Sequence, residues 1–148
     1  MFALTLTAGI AVTVLLLELT GLVAGGIIVP AYVSLILSSP LSLALLFAMA
    51  LAVMLLLRVL ALAVPLYGTR RYGLSVLAGG VLNAAVHAGW PSAAAIAAVE
   101  WSAFGYLVPG LIAWHFERQG VLRTVLMIAI AAPLTRAIVL LLAMLPLP

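Results

Sequence analysis

Leu41-Ser42-Leu43-Ala44-Leu45-Leu46-Phe47-Ala48-Met49-Ala50-Leu51-Ala52-Val53-Met54-Leu55-Leu56-Leu57 carries no charged residue. Residues 72–99 and 124–135 are also free of Arg and Glu. Uncharged apolar runs of about 18 residues or more read as membrane-spanning helices. The whole chain agrees, being 68% hydrophobic and only 6% charged. A soluble domain carries about 25% charged residues, and so few charges could not cover this much apolar surface. The expected class is an all-α integral membrane protein.

Outward from that stretch, Gly and Pro mark the segment ends. The reading places apolar segments at about 2–17, 22–37, 41–65, 74–88, 100–115 and 121–145. Ser38-Ser39-Pro40 is a tight turn. Tyr67-Gly68-Thr69-Arg70-Arg71-Tyr72-Gly73 and Glu117-Arg118-Gln119-Gly120 are two polar loops. Gly89-Trp90-Pro91 breaks the fourth segment, and a short interfacial piece follows it. The N-terminus has no basic stretch before its apolar run, so it reads as a first helix and not as a removable signal.

One pattern occurs twice. Gly26-Ile27-Ile28-Val29-Pro30-Ala31-Tyr32 matches Gly105-Tyr106-Leu107-Val108-Pro109-Gly110-Leu111. Glu18 or Glu100 precedes each copy, and Arg58 or Arg136 follows it. The order Glu, Gly-x-x-Val-Pro, Arg points to a duplication with halves at about 1–66 and 73–148, within a single transmembrane domain over 1–148. Proline inside a helix removes a donor and crowds the carbonyl four residues back, here that of Gly26 or Gly105. Each element is therefore expected to break or kink its helix. Two readings stand, a packing kink and a break that lines a substrate path.

Charge sets the expected topology. The chain has six Arg, three Glu, no Lys and no Asp. Arg70, Arg71, Arg118 and Arg123 flank the two polar loops, and the positive-inside rule puts both loops in the cytoplasm. The chain then crosses about six times with both termini outside. Three crossings per half make the halves inverted copies, an arrangement that recurs in transport proteins. Counted along their helices, Glu18 lies near the depth of Arg58 and Glu100 near that of Arg136, so two ion pairs are expected. Snorkelling to the interface is the other reading of Arg58. Tyr67, Tyr72, Trp90 and Trp114 read as interfacial anchors. His87, His115 and Asn83 read as satisfied polar residues within the bundle.

Several chemistries are missing from the sequence. There is no phosphate-binding Walker loop, no Cys/His metal cluster and no nucleophile elbow. No cysteine is present, so disulfides are excluded. The net charge of +3 is too small and too scattered for a nucleic-acid surface.

The run Glu18-Leu19-Thr20-Gly21-Leu22-Val23-Ala24-Gly25-Gly26-Ile27-Ile28-Val29-Pro30-Ala31-Tyr32 resembles the N-terminal signature of the PgsC/CapC family. Tyr67-Gly68-Thr69-Arg70-Arg71-Tyr72 also resembles that family. So does Val108-Pro109-Gly110-Leu111-Ile112-Ala113 with Arg118-Gln119-Gly120. The family is the small membrane subunit of bacterial poly-γ-glutamate (capsule) synthases. The resemblance implies a multi-pass protein of the bacterial cytoplasmic membrane with no cofactor of its own. It implies a partner ligase subunit (PgsB/CapB-like) holding ATP and a divalent metal, and further membrane-associated subunits. It also implies a polyanionic product passed outward, and a homo-oligomer or hetero-complex. On this reading the chain is a non-catalytic but required subunit. Glu18, Gly26, Pro30, Arg58, Glu100, Gly105, Pro109 and Arg136 are then candidates for the polymer path. Arg70, Arg71, Arg118 and Arg123 form a cytoplasmic rim for polymer or ligase. The alternative function is an independent small transporter or channel for an anionic substrate.

Overall fold

Why a short helix should begin at a Val-Pro pair is answered by the residues before it. In the computed structural model, which describes residues 2–63, 68–89 and 106–144, helix α1 spans Phe2–Thr20 and stops at Gly21. Gly21 takes φ 69°, and its N–H donates to the Leu17 carbonyl at 2.8 Å. The Thr20 hydroxyl then accepts from the Leu22 N–H at 3.2 Å. Gly25 and Gly26 follow at φ 75° and 130°, a region that side chains with a Cβ rarely enter. The chain is therefore non-helical until α2, Val29–Ile36.

Pro30 lies in the first turn of α2. There its missing N–H is no loss and its fixed φ suits the helix. The expected interior kink is thus corrected, because Pro30 starts a helix and does not bend one. Pro109 does the same in α5, Val108–Gln119, after the turn at Tyr106-Leu107. Gly105, the other half of that element, lies outside the described residues.

The remaining helices are α3 (Pro40–Ala63), α4 (Thr69–Gly89) and α6 (Val121–Met144). Both expected polar loops shrink. Arg70, Arg71 and Tyr72 belong to the first turn of α4, and Glu117, Arg118 and Gln119 to the last turn of α5. Arginine, glutamate and glutamine are good helix formers. The breaks fall on Gly68 and Gly120, at φ 61° and 91°. Among the described residues, α1, α3 and α6 are long and apolar enough to cross a membrane. At 24 residues each, α3 and α6 reach about 36 Å.

The packing follows one scheme in both halves. The short helix of each half packs on the last long helix of the other, α2 on α6 and α5 on α3. Each first helix packs on its own short helix and on the other half's last helix, α1 on α2 and α6, α4 on α5 and α3. The buried faces agree in register. Leu46, Met49, Ala50, Val53, Met54 and Leu57 on α3 match Thr124, Met127, Ile128, Ala131, Ala132 and Thr135 on α6. Arg58 and Arg136 each come one residue after the last buried position.

The first helices carry a second shared pattern. Thr5, Gly9 and Thr13 on α1 match Ser75, Gly79 and Asn83 on α4, all buried at a spacing of four. A Cβ on Gly9 would lie 2.5 Å from that of Ala31, and one on Gly79 would lie 2.6 Å from the Gly110 nitrogen. These small residues let α2 and α5 start halfway along their neighbours. With 8 and 12 residues, about 12 and 18 Å, the two short helices run from mid-bundle toward opposite ends.

Candidate functional site

One end of the bundle gathers four of the chain's six arginines. The first turn of α4, the last turn of α5 and the first turn of α6 meet there. Arg71 on α4 grips Glu117 on α5 with two parallel bonds, Nε to Oε2 at 2.9 Å and Nη2 to Oε1 at 2.7 Å. Such fork-to-fork pairing fixes direction as well as distance. It is the ion pair among the described residues. Arg118, the residue after Arg71's partner, lies with its guanidinium carbon 5.7 Å from the centre of the Trp114 ring. Tyr72 meets the same ring edge-on at 5.6 Å. Arg70, Arg118 and Arg123 are exposed at this end.

Gln119 ties the non-helical 21–28 stretch to this end. Its Nε2 donates to the Val23 carbonyl, and the Val23 N–H donates to its Oε1 at 3.2 Å. The same Nε2 reaches the Thr124 hydroxyl, 3.1 Å away, which donates to the Gly120 carbonyl at 2.9 Å. One primary amide thus satisfies a backbone strand that has no helix or sheet partner, as buried backbone groups require.

Beneath the cations lies a cavity of about 440 Å³, walled by α1, the 23–28 stretch, α4 and α5. Most of its walls are apolar: Val14, Leu17, Val23, Ile27, Ile28 and Leu111. Thr13, Tyr72, Trp114 and His115 supply its polar atoms. The Thr13 hydroxyl already donates to the Gly9 carbonyl at 2.8 Å. His115 Nδ1 lies 2.8 Å from the Leu111 carbonyl, so that nitrogen carries the proton. Gly26 belongs to the wall, and a Cβ there would come 3.8 Å from His115 Cε1 and Leu111 Cβ. Among the described residues no group of three metal-ligating side chains forms.

The other sequence candidates fall elsewhere. Glu18 and Arg58 are both exposed and do not pair. The reason is the exchange of packing partners between halves. Glu18 rides on α1, which packs on α2 and α6, whereas Arg58 rides on α3, which packs on α4 and α5. Glu100 lies outside the described residues. Its expected partner, Arg136, donates from Nη1 to the Ser34 carbonyl at 3.1 Å, in the last turn of α2. A cation there meets the negative end of the helix dipole. Pro30 and Pro109 start the short helices and are buried.

The sequence reading left out Gln119 as a structural tie, and it took Tyr72 and Trp114 together as interfacial anchors without joining His115 to them. Trp114, His115 and Arg118 are spaced one and three apart, which places them around one helical turn. That spacing was the available signal.

A family model described as "Capsule biosynthesis CapC" matches residues 8–125. The match spans the cavity and the cationic end and stops short of Arg136. The chain is 29% identical over 118 residues to the PGA biosynthesis protein CapC of Bacillus subtilis (strain 168), covering 79% of this chain and 78% of that protein. No solved structure matches.

Proposed function

The chain belongs to the capsule-biosynthesis CapC family, and from that premise we propose that it is the non-catalytic membrane subunit of a poly-γ-glutamate synthase. Its role is to hold the ATP-dependent amide ligase at the membrane and to help pass the polyanionic product across. The observation that carries this reading is the cationic end. Arg71 is committed to Glu117, which braces α4 against α5 and leaves Arg70, Arg118 and Arg123 exposed around it. Exposed guanidinium groups on a rigid frame suit carboxylates, whether of a docking protein or of the product.

The topology proposed with it has about six crossings and the cationic end in the cytoplasm. The 21–36 stretch and the stretch ending in α5 are two of these crossings, each part helix and part irregular. Irregular backbone at such depth is tolerated where protein covers it, and Gln119 supplies that cover for Val23. The halves are then inverted copies. The matched buried faces of α3 and α6, and the exchange of short helices between halves, support this. The cavity is too apolar to conduct a hydrated polyanion, so the polymer path is completed by other copies or by partner subunits.

The test is coexpression with the ATP-dependent amide ligase. The expected result is copurification and polymer yield that both fall when Arg70, Arg118 and Arg123 are changed together to Glu, with unchanged amounts of the chain in the membrane. A ligase that never copurifies with the unmodified chain would overturn the proposal. So would a triple variant with full polymer yield. Flux of glutamate oligomers into liposomes holding this chain alone would favour the transporter reading instead.

A further inference from the structure

The 440 Å³ cavity is within the range of small-molecule sites, about 300–1,000 Å³. It opens sideways, because Leu17, Ile27 and Tyr72 in its walls are exposed at 39, 56 and 41%. The opening lies between α1 and α4, which pack on other helices and not extensively on each other. Glycine creates the space. Gly26 lines it, and the missing side chain there leaves open the region beside His115 and Leu111.

Its chemistry changes along its length. Away from the cations its walls are apolar, with Ile28 and Leu111 partly buried and Val14 exposed at the opening. The end nearest the cations is aromatic, and Trp114 there carries Arg118 over its face. Arg71 is engaged by Glu117, whereas Arg118 has no carboxylate partner among the described residues. The occupant must therefore be slender and apolar at one end and anionic at the other. A glutamate polymer fails the first condition, since its carboxylates would enter apolar walls unpaired.

We propose that this groove binds an anionic phospholipid, with an acyl chain along Val14, Ile28 and Leu111 and the phosphate at Arg118. The proposal requires only that the chain lie in a bilayer and does not depend on the synthase reading.

Trp114 is a built-in reporter. Changing Trp90 and Trp101 to Phe leaves it as the sole tryptophan of the three in the chain. The full chain is placed in phosphatidylcholine vesicles containing a minor fraction of lipid with brominated acyl chains, which quench tryptophan on contact. Brominated phosphatidylglycerol should bind about fivefold more tightly than brominated phosphatidylcholine, the effect of one arginine on one anionic headgroup. Arg118→Gln should bring that ratio to about one. Arg58→Gln removes the same charge from the exposed face of α3 and should leave the ratio unchanged. Equal quenching by the two lipids in the parent protein would overturn the assignment. So would a preference that survives Arg118→Gln, or one that Arg58→Gln lowers as much. Relief of quenching by added γ-glutamate oligomer would name the polymer as the occupant and likewise refute a lipid site.

Discussion

Replacing Gly79 by Ala tests the close approach of α4 to α5. A Cβ at 79 would stand 2.6 Å from the Gly110 nitrogen and 2.8 Å from its Cα. Both are backbone atoms, so no side chain can swing aside. Ordinary contact begins near 3.4 Å, and α5 must therefore retreat from α4 by about 0.8 Å. That shift also stretches the bond from the Ser75 hydroxyl to the Gly110 carbonyl, now 2.6 Å and buried. Overpacking costs about 1–3 kcal/mol. The weakened bond adds about 0.5–1.5 kcal/mol, and the better helix propensity of alanine returns about 1 kcal/mol. The net loss is about 0.5–3.5 kcal/mol. Gly80→Ala is the matched control, because its Cβ would meet nothing nearer than the Tyr106 carbonyl at 3.9 Å. It should be neutral, or more stable by up to about 1 kcal/mol. Reversible unfolding in mixed micelles with increasing dodecyl sulfate, followed by circular dichroism, measures both. If the two variants unfold at the same detergent fraction, α4 and α5 do not meet at Gly79 and the packing argument is wrong.

Two further outcomes are expected. Gln119→Leu keeps the side chain's bulk but removes the bonds to Val23 and Thr124; it should cost about 1–3 kcal/mol and speed hydrogen exchange at residues 22–26, and unchanged exchange there would show that Gln119 does not hold the stretch. Because the natural chain has no cysteine, single cysteines at 38, 70 and 118 can be probed with a membrane-impermeant thiol reagent: 70 and 118 should react from one face and 38 from the other, and labelling of 70 and 118 from opposite faces would end the six-crossing topology.

Much of this architecture was legible because lipid constrains sequence strongly. The charge-free 41–57 run announces its helix, and α3 and α6 occur where composition places them. Gly120 ends α5 and Gly68 stands just before α4, each at a positive φ that residues with a Cβ rarely adopt. The resemblance to CapC, carried by three short motifs in order, is borne out by the family match. The loops were drawn too long because Arg70, Arg71 and Arg118 look like solvent residues, yet arginine is a good helix former.

Taken alone, the amino-acid order determined that this is a helical chain with long apolar spans, that Gly-x-x-Val-Pro interrupts it twice, and that its cations cluster. Only the tertiary structure decided what those interruptions do. The same Pro can bend a helix or begin one, and the choice here rests on positive φ at Gly25 and Gly26 and on an amide from Gln119, 96 residues away. The Glu18–Arg58 pair was inferred from depth along isolated helices. Pairing also requires that those helices be neighbours, and the exchange of short helices between the halves keeps α1 and α3 apart. Gly79 is informative for the same reason. A glycine's sequence context does not name the surface pressed against it, and contact between distant segments is a property of the folded chain.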